Sequence, residues 1–149
     1  MSTLALDFDG VLRKWPRPME IFADFLAPND LLVRARLFTL RHWLCKLVFD
    51  GVPIVLDPKM VNAANTWDGK VIIITGRTFG NVGKAMRSLR GKLNIRIYFR
   101  ANPNEPEEVF KYRTLKKTGA DMFIEDRAYV VQYLRKKGIN VYHIREVRK

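Results

Sequence analysis

Two aspartates two positions apart, Asp7 and Asp9, follow a short apolar run at residues 3–6. Side chains on a strand alternate between its faces, so both carboxylates can point into one pocket beyond the carboxyl end of the strand. Two carboxylates at such a short distance repel each other unless a cation or a shared proton reduces the repulsion. Mg²⁺ is a suitable cation because it prefers oxygen ligands. The pair could equally end the strand in an acidic turn, since Asp9-Gly10 is a common turn-forming dipeptide.

Further polar residues follow apolar runs later in the chain, at the places that such a pocket would require. Thr75 directly follows a run of valine and isoleucine, and Glu125 with Asp126 directly follow a second apolar run. Lys111 lies on a predicted helix between these two runs. Because ligands bind beyond the carboxyl ends of strands in open α/β sheets, these side chains are candidates for one shared site.

The lysine of this set has two competitors on the same predicted helix, Lys116 and Lys117. The interval from Lys111 to Asp126 leaves room for one helix and one strand. This spacing favours Lys111, whereas the other two lysines are interpreted as solvated residues.

These residues, in this order, resemble the motifs of the haloacid dehalogenase superfamily of phosphohydrolases. The motif residues would be Asp7 with Asp9, Thr75, Lys111, and Glu125 with Asp126. The resemblance covers most of the chain except roughly residues 15–67. It implies hydrolysis of phosphomonoesters through an aspartyl-phosphate intermediate, with Mg²⁺ as cofactor.

The resemblance also implies a role for each residue that would act on the phosphoryl group. Asp7 would attack phosphorus, and Asp9 would protonate the leaving oxygen before activating water. Thr75 would donate a hydrogen bond to a phosphoryl oxygen, and Lys111 would supply a fixed positive charge.

The metal ligands that the resemblance implies come from both acidic pairs. Asp7 and Asp126 would bind the ion through their carboxylates, and Asp9 through its backbone carbonyl. Glu125 would be either a further ligand or a residue that orients the ligands.

A narrower similarity links the second half of the chain to the 3′-phosphatase domain of phage-type polynucleotide kinases. Arg100, Lys111 and Asp126-Arg127 match positions of that family, and Thr75-Gly76-Arg77 resembles its Ser-Gly-Arg motif. The chain departs from the family at Glu125, where aspartate is usual. The similarity implies that the substrate-binding residues are Gly76, Arg77, Arg100 and Arg127. We also expect Gly76 and Arg77 to lie where a helix begins, with backbone amides available to an anion.

Strand and helix signals alternate along the chain and predict the elements that must position this site. Strands are predicted at 3–8, 70–74, 95–99, 122–124 and 140–144, and helices at 79–90, 105–118 and 128–137. This alternation predicts an α/β fold, with a three-layer, Rossmann-like parallel sheet and right-handed connections. His143 falls in the last predicted strand and is interpreted as structural.

Residues 15–67 interrupt the alternation and are predicted to form a small helical cap inserted after the first strand of a single domain. A basic amphipathic helix is predicted from about residue 29 to residue 49, with Cys45 packed among its apolar residues. Asp57-Pro58 is typical of an N-cap and first-turn proline that open a short helix. Caps of this kind select substrates and exclude water.

Composition limits the class of protein and of substrate. The 149 residues are 48% hydrophobic, and no run is long enough to span a bilayer. With no recognisable signal peptide and one cysteine, we expect an intracellular, cytoplasmic location. The 27 basic and 15 acidic side chains give a net charge of +12, which favours a nucleic acid as substrate or partner. A phosphatase of mononucleotides or other small esters and a non-catalytic nucleic-acid-binding module stay open as alternatives.

Overall fold

A parallel sheet forms the centre of the protein in the computed structural model, which describes residues 1–14 and 53–149. Its strands are β1 (Ser2–Leu6), β2 (Gly69–Thr78), β3 (Arg96–Arg100), β4 (Met122–Glu125) and β5 (Val141–His143). The 5 strands are ordered β3-β2-β1-β4-β5, and all neighbours are parallel. The predicted α/β class and parallel sheet are confirmed. The basic helix and Cys45 fall in residues 15–52 and lie outside the described residues.

Helices cover both faces of this sheet and complete the three predicted layers. They are α1 (Pro58–Thr66), α2 (Phe79–Leu89), α3 (Glu107–Thr118), α4 (Ala128–Lys136) and the short α5 (Ile144–Val147). One buried apolar cluster joins β1 to α1, α2 and α5, and a second joins the other sheet face to α3 and α4. Each cluster excludes water from one face of the sheet, which fixes the carboxyl ends of the strands relative to one another.

The short helix α1 begins as its sequence predicts. The Asp57 side chain accepts a hydrogen bond from the Lys59 backbone N–H at 3.0 Å, and Pro58 occupies the first turn. Met60 and Ala64 are buried in the first apolar cluster, so this part of the interrupting segment packs against the sheet. The remainder of the cap stays a prediction.

The end of β2 differs from its prediction. The strand continues through Gly76 and Arg77 to Thr78. The helix α2 begins at Phe79, as predicted, but the expectation that Gly76 and Arg77 lie where this helix begins was wrong. The pairing of β2 with β3 shifts register between Thr75 and Thr78. A strand that shifts register can re-aim its side chains, and here Arg77 is buried against a carboxylate of the first strand–turn segment.

The structural interpretation of His143 is confirmed. It ends β5, and its Nδ1 accepts a hydrogen bond from the Arg145 backbone N–H at 3.1 Å. Glu146 accepts a hydrogen bond from the His143 backbone N–H, which completes a capping box. The cap also explains why Ile144 begins α5, although the sequence predicts that it extends the strand.

Among the described residues, no helix combines the length and apolar character required to cross a bilayer.

Candidate active site

The two predicted acidic motifs meet because β1 and β4 are neighbours in register. Leu6 pairs with Ile124, and the Asp7 backbone N–H donates a hydrogen bond to the Ile124 carbonyl at 3.0 Å. Asp7 and Glu125 therefore follow adjacent strands at the same edge of the sheet. Both side chains are buried, at 2% and 0% exposure, so these carboxylates are enclosed by the protein rather than part of a solvated acidic turn.

Lys111 provides the positive charge beside these carboxylates. Its Nζ lies 3.1 Å from Asp7 Oδ2, 2.6 Å from Glu125 Oε2 and 2.7 Å from the Glu107 carboxylate. Burial lowers the pKa of Lys111, but the three carboxylates outweigh burial and raise that pKa well above its ordinary value. The ammonium is therefore charged across the whole range near neutrality. The structure places Lys111 as the sequence predicts, whereas Lys116 and Lys117 are exposed in the last turn of α3.

Glu107 is a site residue that the sequence interpretation missed. It is four residues before Lys111 on α3, the spacing at which helical side chains meet. Its other oxygen lies 3.2 Å from Arg127 Nη1. Although burial raises the pKa of Glu107, the charges of Arg127, Lys111 and Arg100 lower it well below its ordinary value. Glu107 is therefore a fixed anion that joins the lysine of the pocket to the predicted substrate-binding arginines.

Gly76 makes this position of Glu107 possible. A Cβ on Gly76 would lie 2.6 Å from the Glu107 carboxyl carbon, closer than real Cβ contacts allow. Close packing against Glu107 explains why residue 76 is glycine. The role of Gly76 in substrate binding stays a prediction.

Two arginines hold the Asp9 carboxylate. Arg77 makes a paired contact, with Nε 2.7 Å from Oδ2 and Nη2 2.9 Å from Oδ1. Arg13 Nη1 lies 3.2 Å from Oδ1, and the Arg13 side chain is fully buried. The Arg77 guanidinium also stacks 5.2 Å from the centre of the Phe8 ring. Asp9 is therefore held in one orientation by two arginines, and Arg13 is a second residue that the sequence interpretation missed.

Thr75 lies at the end of the regular part of β2, one strand away from Asp7. Its side chain is buried, and Oγ1 accepts a hydrogen bond from the Arg77 backbone N–H at 3.2 Å. A hydroxyl that accepts one hydrogen bond can still donate another. The geometry is compatible with the predicted donation to a phosphoryl oxygen.

The remaining predicted arginines lie beside Glu107 rather than at Asp7. Arg127 contacts Glu107 and also donates to the Tyr129 hydroxyl at 3.4 Å. Arg100 donates from Nη1 to the Glu105 carbonyl at 2.7 Å, and among the described residues its buried Nε has no hydrogen-bond partner. Both guanidinium groups lie close enough to Glu107 to lower its pKa, and their roles in substrate binding stay predictions.

Three carboxylates are arranged to hold a cation. One oxygen from each of Asp7, Glu125 and Asp126 lies within 4.8 Å of the others. Glu125 already accepts hydrogen bonds from Lys111 and from the backbone N–H groups of Asp126 and Arg127. Asp126 Oδ1, by contrast, is buried without a hydrogen-bond partner among the described residues. The donor set therefore favours Asp7 and Asp126 as direct ligands, with Glu125 as the residue that orients them.

Gly10 brings the two acidic motifs together. It has a φ of +81°, and a Cβ at this position would overlap Asp126 Oδ2 at 2.0 Å. The turn after β1 can therefore pack directly on the Asp126 carboxylate only if residue 10 is glycine.

The electrostatics of the cluster also favour a cation. Burial, and then Glu125, raise the pKa of Asp7 well above its ordinary value, and the same two causes raise the pKa of Asp126. Lys111 opposes these shifts at both residues but does not cancel them. A further positive charge beside Asp7 and Asp126 would favour their charged forms and so lower both pKa values.

At the level of sequence, no family model and no curated protein matches the chain. Solved structures do match. A haloacid-dehalogenase-like protein of unknown function from Agrobacterium tumefaciens shares 12% identity over 95% of this chain and 81% of its own, with a TM-score of 0.54. A candidate phosphoglycolate phosphatase from Lactobacillus plantarum shares 16% identity over 97% and 87%, with a TM-score of 0.62.

This chain has a haloacid-dehalogenase-like fold. A chain of the Pnkp1/Rnl/Hen1 RNA repair complex also matches, at 15% identity and a TM-score of 0.60. The match covers 95% of this chain but only 42% of that one, so this chain spans less than half of the RNA repair protein. At these identities the likeness concerns the fold alone.

Proposed function

We propose that this protein is a Mg²⁺-dependent phosphomonoester hydrolase that acts through an aspartyl-phosphate and takes nucleic-acid ends, 3′-phosphates first, as substrates. The observation that carries the proposal is the position of Lys111 Nζ, 3.1 Å from Asp7 and 2.6 Å from Glu125. A buried carboxylate, a fixed cation and an adjacent acidic pair are the parts needed to hold and attack a phosphoryl group.

The first step forms a bond between an Asp7 oxygen and phosphorus while the bond from phosphorus to the ester oxygen breaks. Asp9 gives a proton to that departing oxygen. Water then attacks phosphorus, Asp9 takes the water proton, and the Asp7 carboxylate and inorganic phosphate are released. Lys111 and Thr75 bind phosphoryl oxygens in both steps. Asp9 must release one oxygen from its paired contact with Arg77 to carry the proton, while Arg13 keeps the side chain in place.

The proposed metal site is supported by the unpartnered, buried Asp126 Oδ1 and by the raised pKa of Asp7 and of Asp126. Asp7 and Asp126 would hold Mg²⁺, and the ion would supply charge neutralisation at the carboxylates and the phosphoryl group. Glu125 would fix the orientation of Asp126 by accepting a hydrogen bond from the Asp126 backbone N–H.

Asp126→Asn is expected to abolish stabilisation by Mg²⁺ without destabilising the protein in EDTA. Without metal, the raised pKa of Asp126 means that this carboxyl favours folding at acidic pH and opposes folding as the pH rises past its folded-state pKa. Mg²⁺ at about 100 times its dissociation constant should stabilise the parent by about 2.7 kcal/mol. Thermal melting in Mg²⁺ and in EDTA measures both effects.

The control for this experiment is Asp68→Asn, which makes the same chemical change at an exposed aspartate. It should melt like the parent in both buffers. A Mg²⁺ response that persists in Asp126→Asn would place the metal elsewhere.

Nucleic acid as substrate is supported by charge and by the pocket arginines. The net charge of +12 favours encounter with polyanions, and Arg100 and Arg127 lie together beside Glu107. The match to a chain of an RNA repair complex is in line with this choice.

A phosphate-release panel tests the proposed activity. We expect Mg²⁺-dependent release from a 3′-phosphorylated oligonucleotide, less from its 5′-phosphorylated isomer, and none in EDTA. The rate on the oligonucleotide should fall steeply with salt, because each phosphate contact releases counterions. p-Nitrophenyl phosphate, which has no backbone phosphates, is the matched substrate for which salt should matter little.

A phosphatase of mononucleotides or other small esters is the second candidate, favoured by the match to a candidate phosphoglycolate phosphatase. It predicts turnover of the small esters alone, with weak dependence on salt. Failure of every phosphate ester, combined with oligonucleotide binding that survives Asp7→Asn, would instead favour a non-catalytic binding module.

A further inference from the structure

The acidic and basic side chains of the described residues are separated between the two edges of the sheet. Most of the acids lie at the carboxyl edge, where the candidate site is. The opposite edge carries exposed cations from the last turns of three helices and the residues just after them. We name the members of this group that form no ion pair the basic edge; they are Arg87, Arg90, Lys92, Lys116, Lys117, Lys136 and Lys137. Arg135, also in the last turn of α4, pairs with Glu146 and is not counted.

Topology requires these cations to share one edge. A helix that connects parallel strands ends beside the start of the next strand, so α2, α3 and α4 end beside the starts of β3, β4 and β5. Hydrogen bonds link that edge, since the Asp121 backbone N–H donates to the Thr3 carbonyl and Asn140 Nδ2 donates to the Asp121 carbonyl. The helix ends therefore lie along the amino ends of the strands, with α2 on one face of the sheet and α3 and α4 on the other.

The charge of the basic edge is not neutralised by its neighbours. Across residues 1–14 and 53–149, no member of the basic edge forms an ion pair with a carboxylate. The acids at this edge are Asp68 and Asp121, and the Asp121 carboxylate accepts a hydrogen bond from the Thr3 backbone N–H at 2.6 Å. Cations at the carboxyl end of a helix stabilise it through the helix dipole. This stabilisation explains why the cations are present, but it does not explain why acidic partners are absent.

The basic edge lies far from the candidate site. Glu107 and Lys111 are in the first half of α3, whereas Lys116 and Lys117 are at its other end. The helix has 12 residues, so its two ends are about 18 Å apart. A small phosphate ester in the pocket cannot reach the basic edge, whereas a long chain of phosphates can.

We infer that the basic edge is a second binding surface, for the phosphate backbone of a nucleic acid, distinct from the candidate active site. Exposed, unpaired cations spread along one edge match a polyanion and would bind it without reading its sequence. Membrane-surface binding would need an apolar face beside the cations. Of the exposed apolar side chains, Met86 lies beside Arg87 and Met1 at the start of β1, whereas Val55, Val109, Tyr142 and Val147 belong to other parts of the fold, so this edge carries two methionines rather than an apolar face. The inference does not require the proposed phosphatase activity.

The test compares two variants that each remove three positive charges. Lys116→Gln/Lys117→Gln/Lys136→Gln alters the basic edge, and Lys14→Gln/Lys59→Gln/Lys149→Gln alters exposed cations elsewhere. Fluorescence anisotropy measures the binding of an unphosphorylated, single-stranded oligonucleotide to each. We expect the first variant to bind about tenfold more weakly and its salt slope to fall by about 2, at ~0.7 per lost phosphate contact. The second should bind within about twofold of the parent, because it loses only the diffuse field.

Other outcomes would overturn the inference. Equal weakening of both variants would mean that binding follows net charge alone, and no binding by the parent would mean that there is no such surface. Competition by polyglutamate as strong as that by the oligonucleotide would point to an acidic protein. Inhibition of p-nitrophenyl phosphate hydrolysis by the unphosphorylated oligonucleotide would place the contact at the pocket. Both variants should hydrolyse p-nitrophenyl phosphate at the parent rate. Weaker oligonucleotide binding would then come from the altered surface and not from a damaged active site.

Discussion

Asp7→Asn is expected to abolish phosphate release while leaving the protein at least as stable as the parent. Removal of a nucleophile from an enzyme with a covalent intermediate should lower kcat at least about 10⁴-fold. The amide is close in size to the carboxylate, and its one carbonyl oxygen can still accept a hydrogen bond from Lys111 or from the Phe8 backbone N–H, though not from both. Burial and Glu125 raise the pKa of Asp7, so its charge opposes folding near neutral pH, and the neutral amide removes that cost.

Three measurements separate loss of chemistry from loss of structure in this variant. Initial rates on the best substrate of the phosphate panel give kcat, and thermal melting in EDTA gives stability. Trapping of labelled phosphate on the protein should succeed in the parent and fail in the variant. Asp68→Asn should retain the parent rate. A variant that keeps more than about a tenth of the parent kcat would exclude Asp7 as the nucleophile.

Lys111→Met is expected to have the largest effect on stability. The substitution leaves the buried carboxylates of Asp7, Glu107 and Glu125 without the ammonium that lies 2.6–3.1 Å from each of them. Removing one partner of a buried ion pair costs about 3–5 kcal/mol. Urea unfolding at neutral pH measures the loss, and the exposed Lys117→Met on the same helix should change stability by less than about 0.5 kcal/mol.

The loss in Lys111→Met should depend on pH. In the parent, the Lys111 pKa is raised above an already high value, so its stabilising contribution is constant across neutral pH. In the variant, the pKa of Asp7 should rise further, because the lysine no longer opposes burial and Glu125. A carboxyl with a raised folded-state pKa favours folding at low pH and opposes folding as the pH rises past that value. The variant should therefore be closest to the parent at acidic pH. An equal deficit at acidic and at neutral pH would mean that packing, rather than charge, causes the loss.

The fold could be predicted from the sequence because its signals are local. Runs of valine and isoleucine alternate with helical segments, and Asp57-Pro58 marks the start of α1 in both sequence and structure. The choice of Lys111 over Lys116 and Lys117 could also be made from spacing, and the structure brings Lys111 to Asp7. The end of β2 was mispredicted because the register shift beyond Thr75 has no local pattern in the sequence.

The missed residues depend on contacts that periodicity does not describe. Glu107 looks like an ordinary acid in the first turn of a helix, and only the approach of Arg127 from the next loop makes it a site residue. The i, i+4 spacing to Lys111 was the one available signal. Arg13 is likewise four residues from Asp9, but in a turn, where that spacing carries no fixed geometry. The net charge is a sum over the sequence, so it could not show that acidic and basic side chains lie at opposite edges of the sheet.

The position of β1 at the centre of the sheet has a consequence for how the protein folds. Its partners are remote in sequence: Ser2 contacts a residue 66 positions away on the β2 side, and Thr3 contacts one 118 positions away on the β4 side. Closing such long loops lowers the entropy of the chain before the new contacts stabilise the structure. Folds that are rich in such long-range contacts therefore form slowly. During synthesis, Asp7 leaves the ribosome long before Lys111, Glu125 and Asp126. The pocket can therefore assemble only once nearly all of the described chain has emerged, so a truncated product should lack the metal site.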